Sequence, residues 1–153
     1  MQVESKLKEL GFALPKPPEP IAAYLPALQV GNLLFLSGTT CYENGKLLFT
    51  GRVGAELTLE QGYQASRQTA LNLLSVIKAT LGDLDRVERV VKLNGYVNSA
   101  QEFDRQPEVI NGASELLEKL YGERGRHTRT SIGVSSLPAH IPVEIEMIVQ
   151  VRS

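Results

Sequence analysis

Thr128-Arg129-Thr130-Ser131-Ile132-Gly133-Val134-Ser135 and, beyond a connector from Leu137-Pro138 to Pro142, Val143-Glu144-Ile145-Glu146-Met147-Ile148-Val149-Gln150-Val151 decide the fold. In the later stretch Val143, Ile145, Met147, Val149 and Val151 share one face of a strand, and Glu144, Glu146 and Gln150 share the other. In the earlier one Ile132 and Val134 point one way and His127, Arg129, Ser131 and Gly133 the other. The two strands are expected to pair antiparallel, which would set Arg129 and Glu144 on polar faces of neighbouring strands.

Upstream, Ala27 to Ser37 reads as one or two strands around a Gly31-Asn32 turn. Asn44-Gly45 accepts the positive φ angles of a tight primed turn, so Leu33 to Leu36 is expected to pair with Leu47 to Phe49. Thr58-Leu59-Glu60-Gln61 is a capping box, and Ala70, Leu73, Leu74, Ile77 and Leu81 continue at helical spacing to Gly82. Asp83 to Asn98 is a strand, with Gly95 marking a bulge or a close approach to the backbone. Ser99-Ala100-Gln101-Glu102 reads as a second capping box, and Pro107 suits the first turn of a helix starting near Gln106, with Ile110, Ala113, Leu117 and Leu120 or Tyr121 facing inward. Strands that pair locally under helices on one sheet face make a two-layer α+β domain.

The N-terminus carries a short helix with Val3, Leu7 and Leu10 on one face and Gly11 as its cap. Pro15-Lys16-Pro17-Pro18-Glu19-Pro20 then forms a stiff, extended connector. The expected organisation is a helix and connector over residues 1–20 and a single α+β domain over 21–153.

At 153 residues and 42% hydrophobic content the chain suits one core. Sixteen basic and 17 acidic residues, mixed along the chain, leave a net charge of −1 and no footprint for nucleic acid or anionic lipid. One cysteine, Cys41, rules out an intrachain disulfide, and only two histidines make a metal cluster improbable. Without an apolar leader or a long apolar run, the chain is expected to be soluble and cytoplasmic.

An arginine fork binds a carboxylate bidentately, and a glutamate with a raised pKa moves protons near neutrality. The residue types alone also allow a cross-strand ion pair at a solvated sheet edge. Arg129 to Pro138 followed by Val143-Glu144-Ile145-Glu146 resembles the C-terminal segment of the Rid (YjgF-type) family. Tyr24, then Val30-Gly31-Asn32-Leu33-Leu34-Phe35-Leu36-Ser37-Gly38, resembles its N-terminal tyrosine and first long strand, and Asn111 its helical asparagine. The resemblance runs from about Ile21 to Val151 in the same order of elements.

That resemblance implies a chorismate-mutase-like α+β fold, a mixed sheet under two helices, assembled as a homotrimer with pockets at subunit interfaces. It implies hydrolysis of imines or enamines such as 2-aminoacrylate to 2-keto acids and ammonia, without cofactor or metal. Arg129 would hold the substrate carboxylate and Glu144 the attacking water. Tyr24 (from a neighbouring subunit), Asn111 and the backbone at Gly38 would line the pocket.

Two positions depart from the family pattern: His127 replaces a proline two residues before the arginine, and Ser131 a cysteine two residues after it. His127 reads either as an added proton carrier or carboxylate partner beside Arg129, or as an ordinary hydrogen-bonding residue. Ser131 has no base to activate it and reads as a small polar residue. Residues 1–20 lack a counterpart in short family members and suggest a longer subgroup. A non-catalytic trimer binding small carboxylates is the competing reading, and a ribonuclease ranks last for want of a basic groove or a histidine pair.

Overall fold

The computed structural model describes residues 2–17, 19 and 23–153. Its elements are helix α1 (Gln2–Glu9), strands β1 (Ala27–Val30), β2 (Leu33–Thr39), β3 (Tyr42–Glu43) and β4 (Lys46–Leu47), helix α2 (Leu59–Leu81), β5 (Val87–Asn98), α3 (Gln106–Tyr121), β6 (Thr128–Val134) and β7 (Val143–Val151). Pro18, Pro20 and Ile21, where the connector ends and the resemblance begins, lie outside the described residues.

Five strands form one mixed sheet in the order β1-β2-β7-β5-β6, with α2 and α3 on one face. The alternation of β7 becomes a strictly alternating burial pattern, as the residue pattern requires. The turn at Gly31 has φ +61°, and it returns β1 onto β2. Thr58 caps α2 through the full capping box with Gln61, and Gly82 ends it in the left-handed region at φ 85°.

Three expectations are corrected. Thr128 to Ser135 does not pair with Val143 to Val151: β6 lies parallel to β5 at the sheet edge, and β7 is inserted between β5 and β2, antiparallel to both. The cause is α3, which as a crossover helix returns the chain parallel to β5. Residues 135–142 then pass over the end of β5, where Asn98, fully buried, donates its Nδ2 to the Ile141 carbonyl (3.1 Å) and its backbone N–H to that of Pro142 (2.8 Å).

The hairpin turn at Asn44-Gly45 forms with both φ angles positive, 52° and 79°, but it joins β3 to β4 in a separate two-stranded ribbon. β2 is already flanked by β1 and β7, so it has no free edge. Asn72 of α2 holds the ribbon instead, donating to the carbonyls of Thr40 and Tyr42. Ser99 does not cap a helix either. Its hydroxyl turns back to the Val97 carbonyl, and α3 starts at Gln106 with Pro107 in its first turn.

Helix α1 buries Val3 and Leu7 in the same core as α2 and α3. The helices themselves meet backbone to backbone: a Cβ at Gly112 would lie 2.1 Å from the Tyr63 carbonyl oxygen. Ser66 bridges the crossing, bonded to the Ile110 carbonyl and the Ala113 N–H. At Gly95 a Cβ would lie 2.6 Å from Ile110, so α3 is drawn down onto β5 beside β6. Gly112→Ala is expected to force the helices apart and cost about 3 kcal/mol. The measurement is a chemical denaturation midpoint, and an unchanged midpoint refutes the close crossing.

Candidate active site

Arg129 pairs in register with Leu93, which is fully buried, so its side chain turns toward the helix layer. There Nη1 donates to Asn111 Oδ1 at 2.7 Å and to Ser114 Oγ at 3.1 Å. The two acceptors are three residues apart on α3 and therefore share a face. Among the described residues no carboxylate pairs with Arg129, and its Nε and Nη2 edge takes no hydrogen bond. Burial pushes its pKa down, yet a guanidinium stays charged at any ordinary pH. A half-buried cation held at one end and bare along the other is built to receive an anion, and a planar carboxylate fits that edge bidentately.

His127 makes no direct hydrogen bond to Arg129. Its Nδ1 lies 2.7 Å from the Gly125 carbonyl oxygen and its Nε2 2.9 Å from Ser114 Oγ. A carbonyl only accepts, so Nδ1 carries the proton, and in the neutral ring Nε2 accepts from Ser114. Burial above all, with the Arg129 charge, pushes the His127 pKa below its usual value, against the Gly125 bond and Glu118. Ser131, opposite Gly95, also faces the helix layer, and its Oγ is buried without a hydrogen-bond partner among the described residues.

Glu144 pairs with Tyr96 and projects from the opposite, open face of the sheet. A Cβ at Gly38 would meet its Cγ and Cδ at 3.2 Å, so the carboxylate lies against bare backbone where β2 shifts register. Burial, and secondly the charge of Glu146, hold its pKa above the usual carboxylate range. Glu146 is held by the Tyr96 hydroxyl (2.9 Å) and Asn94 Nδ2 (3.1 Å), both on Oε1. At the same end of the sheet Ser37 donates to the Leu25 carbonyl, which fixes the chain beside Tyr24, itself half-exposed.

The seven residues singled out from sequence therefore fall into two groups. Arg129, Asn111, His127 and Ser131 gather between β6 and α3, whereas Glu144 and Gly38 meet on the open face, with Tyr24 nearby in the chain. Arg129 and Glu144 do not come together in one chain, because β5 intervenes and their register partners, Leu93 and Tyr96, face opposite ways. The face of β6 that carries Arg129 and Ser131 is covered by α3, and Ile132 lies on the side left exposed, at 45%.

Ser114, Asn94, Tyr96 and Glu146 were not picked out. The signals were present as Asn111 and Ser114 at helical spacing, and as alternating polar residues on β5. Cys41 is buried with its Sγ 3.7 Å from the Phe49 carbonyl, and His140 stands at the surface beside Glu56. Among the described residues no group of three or more His, Cys, Asp or Glu side chains is placed to hold a metal ion, and no helix is long and apolar enough to cross a membrane.

Residues 4–145 match the family described as "YjgF/chorismate_mutase-like, putative endoribonuclease". The chain belongs to this YjgF-type family. A crystal structure of Atu1372 from Agrobacterium tumefaciens is 44% identical, covers 98% of this chain and 92% of its own, and superposes with a TM-score of 0.91. Protein TCP17 of Trypanosoma cruzi is 40% identical over 99% of this chain and 96% of its own. The 2-iminobutanoate/2-iminopropanoate deaminase of Dermatophagoides farinae is 28% identical over 92% of this chain and 95% of its own. The YjgF-type α+β fold expected from resemblance is the one observed.

The environment of Glu144 has a measurable consequence. A carboxyl whose folded pKa lies above its unfolded one costs nothing while protonated in both states, and it costs stability as pH rises through the folded value. Glu144→Gln should therefore raise the thermal midpoint over wild type at about pH 7.5 and lose that advantage near pH 4. An equal difference at both pH values would refute burial of the charge as the cause.

Proposed function

We propose that this YjgF-type protein hydrolyses reactive imines and enamines of 2-amino acids, 2-aminoacrylate among them, to 2-keto acids and ammonia. The observation that carries the reading is the bare Nε and Nη2 edge of Arg129, a half-buried cation pinned by Asn111 and Ser114 and, among the described residues, without a counter-ion. The substrate carboxylate supplies it. Glu144, its pKa raised, takes a proton from water as the oxygen adds to the imine carbon. It then returns that proton to the nitrogen, and the hydroxyl proton of the carbinolamine follows by the same route as the C–N bond breaks, so that ammonia leaves as the carbonyl forms. No cofactor enters, since such imines hydrolyse in water unaided and need only orientation and proton transfer.

This chemistry requires Arg129 and Glu144 in one pocket, so the site is assembled between copies in a homotrimer. The Arg129 edge of one subunit faces the Gly38, Tyr24 and Glu144 end of the next. Supporting this, the open sheet face leaves Leu28, Val30, Phe35 and Ile132 between 40% and 60% exposed, more apolar surface than a solitary sheet usually shows to water. The deaminase relative supports the substrate class. We place the protein in the cytoplasm, where such imines arise. Nucleic-acid cleavage is outside this reading: His127 is tied to Ser114 and Gly125, and His140 to Glu56. A carboxylate-binding protein without catalysis is the second reading. It is favoured by one observation, that a single chain presents the arginine clamp without the glutamate.

In a coupled assay, where a dehydratase generates 2-aminoacrylate or 2-iminobutanoate, wild type should accelerate keto-acid release. Arg129→Ala should abolish the acceleration, and Glu144→Gln should slow it by about 100-fold. Mixing equal amounts of the two inactive variants under subunit exchange should restore about a quarter of wild-type activity, because shared sites pair an intact arginine with an intact glutamate. Failure to recover sinks the interfacial site, and keto-acid binding without acceleration leaves the binding reading.

A further inference from the structure

The clamp is more than an arginine. From the Gly125 carbonyl a directed chain of hydrogen bonds runs through His127 Nδ1–H, from Ser114 O–H to Nε2, and from Arg129 Nη1 to Ser114 Oγ. Its polarity is set at the far end, where the carbonyl can only accept. Gly125 is itself fixed: a Cβ there would lie 2.2 Å from the Leu117 carbonyl oxygen, so the turn packs against α3 and aims its carbonyl at the imidazole. Neither Ser114 nor His127 reaches the free edge of the guanidinium.

We propose that Ser114 and His127 are positioning residues that lock the Nη1 end of Arg129 and keep the clamp singly charged, so that it selects acids bearing one carboxylate. This rests on the reading of Arg129 as the carboxylate anchor and adds the device that orients it. A protonated His127 would have to donate Nε2–H to Ser114 Oγ, which already accepts from Arg129. The serine hydrogen would lose its acceptor and two cations would flank one hydroxyl. The charged groups acting on the imidazole are Arg129 on β6, which begins one residue later, and Glu118 on α3; burial and Arg129 work against its charging. With Asn111, Ser114 and Ser131 uncharged, Arg129 is the only cation of the cluster, and it matches one negative charge.

The test is binding, read without turnover. 2-Oxobutanoate, the keto acid with one carboxylate, is titrated calorimetrically into the full-length protein, and 2-oxoglutarate, with two, is compared. Wild type should prefer 2-oxobutanoate by about 10-fold or more, since a second buried carboxylate would meet no partner. Ser114→Ala and His127→Phe should each weaken 2-oxobutanoate about 5- to 10-fold, and Ser114→Thr, which keeps the hydroxyl, should stay within about 3-fold of wild type. NMR titration of the His127 ring supplies a readout that a merely structural role would not move. Saturating 2-oxobutanoate should raise its pKa, because the bound anion offsets the Arg129 charge, and the neutral ring should carry its proton on Nδ1.

Wild-type affinity in both Ser114→Ala and His127→Phe, a proton on Nε2, an unmoved titration or a preference for 2-oxoglutarate would each overturn the proposal. Arg129→Ala separates the two readings. If it alone abolishes binding, the anchor stands and the relay falls; if it leaves binding intact, both fall.

Discussion

β5 pairs with β7 from Val87 to Val97 on one side and with β6 from Lys92 to Asn98 on the other, and the placement of Arg129 and Glu144 follows from that double ladder. Its buried residues Leu93, Gly95 and Val97 set which face their partners show. Leu93 sends Arg129 toward the helices, and Tyr96 sends Glu144 away from them. The close approach of Ile110 over Gly95 draws α3 down onto the same edge, which places Asn111 and Ser114 at the guanidinium. A side chain of any size at residue 95 would lift that helix and open the clamp.

The electrostatics follow from the same separation. Arg129 is half-buried among neutral groups, Asn111, Ser114 and a His127 whose charge is disfavoured, so among the described residues no carboxylate offsets its charge. Glu144 lies against the backbone at Gly38 and beside Glu146, whose charge disfavours its ionisation. Each half-site therefore carries an unfavourable electrostatic environment that an opposite charge relieves. Under the proposed function the substrate carboxylate supplies the opposite charge at the arginine, and a second copy of the chain brings the glutamate to it.

Residue patterning was sufficient for much of this. The period of two in Val143 to Val151, the capping box at Thr58 and the turns at Gly31 and Asn44-Gly45 are set by interactions within a few residues, and they appear where they were expected. The identity of the clamp was also legible, since Arg129 and Asn111 carry the family resemblance. Ser114 was legible only through its three-residue spacing from Asn111, which marks a shared helix face but no chemistry. His127 looked like a neighbour of Arg129 from its two-residue spacing, yet it reaches the guanidinium only through that serine.

By itself, then, the sequence determined most of the elements, the cap at Thr58, the buried face of β7 and the chemical types gathered in the chain, all of which depend on local sterics and on hydrophobic period. Strand order was decided only by tertiary structure. Whether β6 pairs with β7 or β5 turns on the crossover of α3 and on the path of residues 135–142 past Asn98, interactions between segments more than 30 residues apart. Because the register on β5 fixes which sides of the sheet Arg129 and Glu144 occupy, it also decided that the two do not meet within one chain.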